Sequence, residues 1–250
     1  MDTSAQYGQQ DFNLPHDVVE LPSKGKFYAN GKSSIKVGYL TASDENTLLG
    51  GQRQNDNVIM TLLRNKIYEP NFDPMELLEC DVEAILIFLR NTSFGSSYTF
   101  NLKDPKTLKD FESTITLDEI SVKVATIEPN TEGLFEIMLP VSKKMVKCRL
   151  LNQRDTQELQ KMMESYPDGV VTPVVTKRLE RTIVEFDGSK DLSEISSIIA
   201  NLPIADSKHI KKTMEGAEPR LDLTRVFNAP SGEKVTTRIA FGGEFFRPFF

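Results

Sequence analysis

The chain has 250 residues, of which 39% are hydrophobic and 26% charged, so it has the composition of an ordinary globular protein with ample material for a buried core. Its net charge of −6 argues against a general nucleic-acid binder, because neutralising phosphates requires a basic face. Apolar runs stay well short of the ~18 residues of a membrane span and the N-terminus lacks a signal peptide, so we expect a protein that remains in the cytoplasm where it is made.

The N-terminal stretch, residues 1–17, is rich in Gln, Asn, Ser and Asp and has little periodicity, which predicts a flexible arm. After it, Asn30-Gly31 is a two-residue hairpin signal between segments that alternate apolar and polar residues. Leu21-Pro22-Ser23 followed by Gly25 indicates a bend, since proline lacks a backbone donor and glycine accepts a positive φ. The sequence therefore predicts an N-terminal hairpin that is preceded by a bend.

Three helices are predicted next. The first has acidic residues 44–45 in its first turn, where they meet the positive end of the helix dipole, and it ends at Gly50-Gly51. The second covers residues 57–66. Asp73-Pro74 begins the third, which is the most hydrophobic stretch of the chain and ends near Gly95. We expect this third helix to be the central one of the N-terminal half.

The pattern becomes strand-like at residue 98 and remains so until about residue 151, through five segments separated by Asp, Pro, Asn and Gly turns. These segments predict an antiparallel β meander that the long third helix covers. From residue 152 the period is helical again. Four helices are predicted there, the second of them over residues 176–186, and aspartates mark three of their starts: Asp155, Asp191 and Asp206. Pro203 separates the last two.

The last stretch, residues 219–250, alternates apolar and polar residues on both sides of a Pro-Ser-Gly turn, which predicts a hairpin with one buried face. It ends in aromatic residues around an arginine: Phe245, Phe246, Arg247, Phe249 and Phe250. Chain ends are usually polar, so an end this apolar is predicted to be pinned, either in the chain's own core or in a groove of a partner. We take these five residues as a candidate partner-binding site and keep both alternatives open.

The order of elements predicts an α+β fold, with no βαβ alternation that would indicate a parallel sheet. It comprises an N-terminal hairpin and helices, an antiparallel β meander, a helical segment and a C-terminal β-hairpin. We divide the chain into the flexible arm at 1–17, an N-terminal α+β region at 18–151, and a helical region at 152–250 that the hairpin and the aromatic tail close.

Catalytic groups are scarce. Most acid-base chemistry uses histidine, and the chain has only His16, beside the arm, and His209, among lysines. Glycine pairs lack the context of a phosphate loop, and the carboxylates at 76, 79 and 83 are predicted to lie on the solvated side of the third helix. Cys80 and Cys148 are expected to be reduced core thiols. We therefore expect no enzyme, no cofactor, no metal and no small-molecule substrate.

A basic patch is predicted on the last helix, where Lys208, Lys211 and Lys212 follow one another within two turns. The simplest interpretation is a solvated helix face. The functional alternative is an electrostatic contact with an acidic partner.

Several motifs resemble those of the T4-type phage baseplate hub assembly chaperones. In the first half they are the Leu21-Pro22-Ser23 bend with Gly25 and Tyr28, and the helix start YLTASDENTLL. In the second half they are RLLNQRDTQEL, TKRLERTIVEFDGSKD, IANLPIADSKHIKK and EPRLDLTRVF. Their order runs from about Leu21 to Phe250, so the resemblance covers nearly the whole chain.

The chain departs from this family at two hairpin turns, where many relatives carry a Cys-Pro-x-Cys-Gly zinc knuckle. The corresponding turns here are Asp104-Pro105-Lys106-Thr107 and Ala229-Pro230-Ser231-Gly232, which keep the proline and lack the thiolates. Since tetrahedral zinc needs four such ligands, we predict no structural metal at either turn. Backbone hydrogen bonds and packing must then hold them.

The resemblance implies a non-enzymatic bacteriophage protein that assists assembly of the central hub of a contractile-tail baseplate by binding hub subunits. It leaves open a permanent structural place in the baseplate hub of the mature virion. A hydrolase with a carboxylate pair is the remaining alternative. The implied partners are phage baseplate hub or tail proteins, with no nucleic acid and no membrane, in the cytoplasm of the bacterial host or in the virion.

Overall fold

The computed structural model of the protein describes residues 15–28, 30–50, 55–167, 169–241 and 243–246. Within them the chain forms α-helices and short strands that pair only antiparallel, so the predicted α+β class is confirmed. The helices are α1 (Ala42–Gly50), α2 (Asn55–Lys66), α3 (Glu79–Phe94), α4 (Gln153–Glu164), α5 (Val174–Thr182), α6 (Leu192–Ala200) and α7 (Ile204–Ala217). The strands are β1 (His16–Glu20), β2 (Ser34–Gly38), β3 (Ser97–Lys103), β4 (Asp110–Thr116), β5 (Val122–Lys123), β6 (Phe135–Met138), β7 (Met145–Cys148), β8 (Ile183–Phe186), β9 (Arg220–Leu221), β10 (Thr224–Asn228) and β11 (Lys234–Arg238).

The strands predicted as one meander are divided among three sheets. Strands β3 and β4 form a hairpin of their own, whereas β5 pairs with β9 and β7 lies between β6 and β8 in a three-stranded sheet. The partners β8 and β9 come from much later in the chain. Local alternation predicts that a segment is a strand, but it carries no information about a partner so distant in the sequence. The prediction of a single meander was therefore wrong.

Two hydrophobic cores organise these elements. The first contains most of α3 together with β2, α2, β3 and the terminal hairpin, which contributes Leu223, Ile239, Phe245 and Phe246. The second contains the start of α3, the sheet β6-β7-β8 and helices α5 to α7. The terminal hairpin packs on the first core rather than on the helical region that precedes it, and the division of the chain at residue 152 stays a prediction.

The predicted third helix is two elements. Asp73 caps a 3-10 turn at Pro74–Glu76, and its Oδ1 accepts a hydrogen bond from the Met75 amide at 3.0 Å. The backbone is then extended at Leu77 and Leu78 before α3 begins. This break is held by contacts across the chain, since Leu78 forms a β-bridge with Asn152 and its amide donates to the Tyr28 hydroxyl at 3.0 Å. Gly95 ends α3, as predicted.

Three further predictions were wrong in detail. The helix expected over residues 176–186 ends at Thr182, and its second half is strand β8, paired with β7. Asp155 is not the cap of α4; Asn152 is, and Asp155 completes the capping box from the third helical position. Asp206 lies in the first turn of α7 and accepts the amides of Val141 and Ser142, while Asp191 caps α6 as predicted.

The N-terminal hairpin has a long loop instead of the predicted two-residue turn. Strand β1 begins at His16, two residues inside the predicted arm, and it pairs with β2 so that Glu20 is opposite Ser34. The loop over residues 21–33 is closed by the Leu21 amide, which donates to the Ser33 carbonyl at 2.8 Å. Residues 1–14 of the predicted arm lie outside the described residues.

Gly25 makes this loop compact. It has a φ of +72°, and a Cβ built on it would lie 2.3 Å from the Gly31 carbonyl oxygen. Backbone atoms cannot yield as a flexible side chain can, so only glycine fits there. Gly31 also has a positive φ, +62°, but a Cβ on it would meet no atom within 4 Å.

These two glycines provide a matched test. We expect Gly31→Ala to lower the free energy of unfolding by about 1 kcal/mol, the cost of a left-handed alanine. Gly25→Ala adds a backbone collision and should cost at least about 3 kcal/mol. Urea denaturation of both variants measures the difference, and equal losses would show that the close approach to Gly31 does not constrain the loop.

Candidate partner-binding surfaces

The aromatic end of the chain closes the first core. Phe245 is 0% exposed and Phe246 2% exposed, and the Phe245 ring packs on Tyr98, Phe241 and Phe246 at centroid distances of 5.5, 4.8 and 5.1 Å. For these two phenylalanines the structure therefore shows the alternative in which they lie in the chain's own core. The other predicted partner-binding residues, Arg247, Phe249 and Phe250, lie outside the described residues, and for them the partner-binding site stays a prediction.

A buried arginine holds this end in place. Arg90 on α3 is 1% exposed, and its guanidinium donates to three backbone carbonyls: Phe245 from Nε at 2.9 Å, Gly95 from Nη1 at 2.6 Å and Ser97 from Nη2 at 2.9 Å. The guanidinium carbon also lies 5.2 Å from the Tyr98 ring centroid and 5.6 Å from that of Phe245. Burial lowers the pKa of Arg90 from its usual value. The sequence-based interpretation missed this residue, although an arginine at the end of the apolar run of α3 is a visible signal.

The two hairpin turns that depart from the zinc knuckle lie against each other. Asp104, 1% exposed, accepts the backbone amides of Lys106 and Thr107 in its own turn at 2.9 and 3.2 Å. It also accepts the Ser231 hydroxyl at 2.7 Å and the Ser231 amide at 3.0 Å from the other turn. These hydrogen bonds outweigh burial and lower the pKa of Asp104 to about 2. A carboxylate thus joins the two turns.

In the ranges that the structure describes, no set of three or more His, Cys, Asp or Glu residues is arranged to hold an ion. The residue types of Asp104 and Ser231 gave no sign in the sequence that the two would be in contact. The signal that connects them is the family correspondence between the two turns.

The loop that carries the family motif is anchored to α3. Asp81, fully buried, accepts the Ser23 amide at 2.9 Å and the Tyr28 hydroxyl. Burial, and next the charge of Asp81, raises the pKa of the Tyr28 hydroxyl. Phe27 packs on Phe135 of β6 at 5.9 Å between ring centroids, so this loop connects the first core to the second. The motif residues therefore have a structural role.

Both cysteine thiols are buried, and so is one of the three carboxylates, at residues 76, 79 and 83, that were predicted to be solvated. Cys80 and Cys148 are free, as predicted, and burial raises the pKa of the Cys148 thiol to about 12. Glu83 was predicted to be solvated, which was wrong: it is 4% exposed and accepts a hydrogen bond from Arg238 at 2.8 Å. Burial, followed by the charge of Glu79, raises the pKa of Glu83 to about 7. Its carboxylate joins α3 to the end of β11.

The predicted basic patch lies on the outer face of α7. Lys208, Lys211 and Lys212 are exposed there, whereas Ile210 on the opposite face is buried in the second core. Lys211 lies 3.9 Å from Glu215 on the same helix. The arrangement is that of a solvated helix face, and the contact with an acidic partner stays a prediction.

An open groove of about 640 Å³ lies beside α3, between that helix and the segment at residues 120–124. Ile87 of α3 and Val122 of β5 line it together with residues of the N-terminal hairpin such as Glu20, and its surface is polar and apolar in comparable parts. Sequence reasoning did not find this surface, because its two walls are separated by about 30 residues and by the hairpin β3-β4. None of the described helices has the length and apolar character needed to cross a bilayer.

The contribution of the aromatic end to stability can be measured directly. Phe245→Ala removes a fully buried ring and should lower the free energy of unfolding by about 3–5 kcal/mol, equivalent to a drop in Tm of about 8–15 °C for a chain of this size. Phe111→Ala is the control, since Phe111 on β4 is only half-buried and should lose clearly less. A loss for Phe245→Ala no larger than that of the control would contradict a core position.

The carboxylate contact between the two turns predicts a pH-dependent effect. Asp104→Asn keeps only one acceptor oxygen and should lower Tm by several degrees at pH 6, whereas Asp110→Asn, an exposed position on β4, should not. The pKa of Asp104 is lowered on folding, so its stabilisation is present above the ordinary Asp value of ~3.9 and is lost as pH falls towards 2. The Tm difference between wild type and Asp104→Asn should therefore shrink between about pH 4 and pH 2.

The same melting experiment includes a test for metal. Addition of EDTA should leave the wild-type Tm unchanged, because hydrogen bonds hold the turns. A Tm that falls with chelator, or a difference between wild type and Asp104→Asn that is constant with pH, would contradict this explanation.

Comparison with known proteins places the chain in a family. No curated protein and no solved structure matches it. A family model described as "T4 bacteriophage base plate protein" matches residues 15–247, which include both cores, the loop with Tyr28 and the two joined turns. The match spans nearly the whole chain and confirms the resemblance at the level of a baseplate protein. The chain belongs to the family of T4 bacteriophage base plate proteins.

Proposed function

We propose that the chain is an assembly factor that binds subunits of the central hub of a contractile-tail baseplate, shields their interfaces until they join, and is then released. The observation that carries the proposal is the family match over residues 15–247, because it covers both cores and the surfaces on them. A baseplate protein works through contacts with other baseplate proteins. The open groove beside α3, with exposed valines in its lining, is a surface suited to such a contact.

We also propose that the chain is not an enzyme. Its buried carboxylates each hold two parts of the fold together: Asp81 binds the loop with Tyr28, Asp104 binds the turn with Ser231, and Glu83 binds Arg238 of the terminal hairpin. Carboxylates that are bound in this way stabilise the fold. Burial raises the pKa of Glu83, and hydrogen bonds lower the pKa of Asp104; both shifts arise from contacts within the fold and support a structural role.

The alternative is a permanent component of the baseplate hub. The same groove would serve a lasting contact as well as a transient one. The two functions differ in where the chain is found after assembly is complete.

Quantitative mass spectrometry separates them. The full-length chain carrying an affinity tag is produced in cells during phage infection, and its co-purifying proteins are compared with the contents of purified finished particles. We expect tail and baseplate proteins to co-purify from the infected cells, and the finished particles to contain much less than one copy of the chain per hub subunit.

Two results would contradict the proposal. A stoichiometric amount of the chain in finished particles would support the permanent component instead. If no tail or baseplate protein is enriched above an untagged control, both functions fail.

A further inference from the structure

The groove beside α3 has two walls of regular geometry. From the helix, Ala84, Ile87 and Asn91 line it; their spacing of three and four residues places them in one stripe along α3. From the segment after the second hairpin, residues 120, 122 and 124 line it, and alternate residues of an extended segment share one face. We call the groove a trough; its other lining residues are Leu117, Asp118 and Leu221, and residues 20–22, 24, 33 and 34 of the N-terminal hairpin.

The strand wall is uncovered. Val122 is 42% exposed and Val124 is 73% exposed, and both residues line the trough. Among the described strands, β5 pairs with β9 alone, where Val122 is opposite Leu221. Single exposed valines are common on protein surfaces, but these two lie on one face of the segment and line the same groove as Ile87. They are apolar contact points in a groove that also carries polar and charged side chains.

The charges around the trough indicate the kind of segment that fits. Glu20 and Asp118 are exposed in its lining with one lysine, Lys24, and in the part of the chain that the structure describes neither carboxylate forms an ion pair. The Asn91 side chain donates to Asp118 Oδ1 at 2.7 Å and so fixes this carboxylate beside the helix wall. The two carboxylates outnumber the one lysine in the lining, so a cation is attracted here more strongly than an anion.

We propose that this trough binds a short segment of a partner protein that carries apolar side chains next to a lysine or arginine. The apolar side chains lie between Ile87 and the pair Val122 and Val124, and the cation meets Glu20 and Asp118. The inference rests on the proposed function only in requiring that the chain has a protein partner. It adds the place of contact and the chemistry of the segment that occupies it.

Site-specific photo-crosslinking tests whether the partner binds in the trough. A benzoylphenylalanine replaces Val124 in the full-length chain, produced in infected cells; the matched control carries it at Val226, which is 58% exposed on β10 and outside the trough. Both side chains are largely exposed, so both variants should fold, which circular dichroism melting checks. We expect adducts to a partner protein from position 124 and at least tenfold fewer from position 226. Peptide mapping should locate the adduct in a segment with a lysine or arginine beside apolar residues.

A charge reversal tests the chemistry. In the chain with the crosslinker at position 124, the double substitution Glu20→Lys and Asp118→Lys should lower the adduct yield at least fivefold. The matched control is Asp110→Lys with Glu112→Lys, two exposed carboxylates on β4 outside the trough, which should leave the yield unchanged within a factor of two.

Several results would overturn the inference. These are equal yields from positions 124 and 226, adducts to a second copy of the chain or within it, an acidic crosslinked segment, and equal effects of the two charge reversals. If baseplate proteins co-purify with the chain but position 124 gives no adduct, the trough is excluded while the proposed function stands. Adducts of the expected chemistry to a protein outside the tail would support the trough and contradict the proposed function.

Discussion

A guanidinium that leaves water must find partners for its donors, because an ionised group without them is costly to bury. Arg90 meets this requirement with carbonyls from Gly95, Ser97 and Phe245 and with the faces of two aromatic rings. One of these carbonyls belongs to the last few residues of the chain. The burial of Arg90 therefore depends on the terminal segment, and so does the first core that surrounds it.

Buried carboxylates anchor the loops by hydrogen bonds, as Arg90 anchors the terminal segment. Each accepts backbone amides from a segment far away in sequence: Asp81 from Ser23, Asp104 from Ser231, and Asp206 from the turn between β6 and β7. The sheets of this protein are small, most of them two-stranded, so strand pairing alone gives little tertiary cohesion. Charge-assisted hydrogen bonds from loops to carboxylates compensate for the missing strand neighbours.

The features predicted from sequence are those that depend on near neighbours. Gly95 ends α3, Asp191 caps α6, and the Pro-Ser-Gly turn joins β10 to β11, since each signal acts within a few residues. The features that were missed depend on distant partners. The break at Leu78 is held by Tyr28 and Asn152, and neither contact leaves a local pattern. The same holds for the candidate site: its valines were visible as a strand, but their position opposite α3 was not.

The return of the terminal hairpin to the first core has a consequence for the order in which the native contacts form. The buried residues of the second core all lie between residues 78 and 217, so that core needs no residue of the terminal hairpin. The first core is incomplete until Leu223, Ile239, Phe245 and Phe246 pack on it. Its contacts join residues more than 150 positions apart, for example Arg90 with Phe245, and such closure is slow because a long loop must be ordered first. The N-terminal hairpin, which packs on the same core, thus acquires its full set of native contacts only after the terminal hairpin has docked.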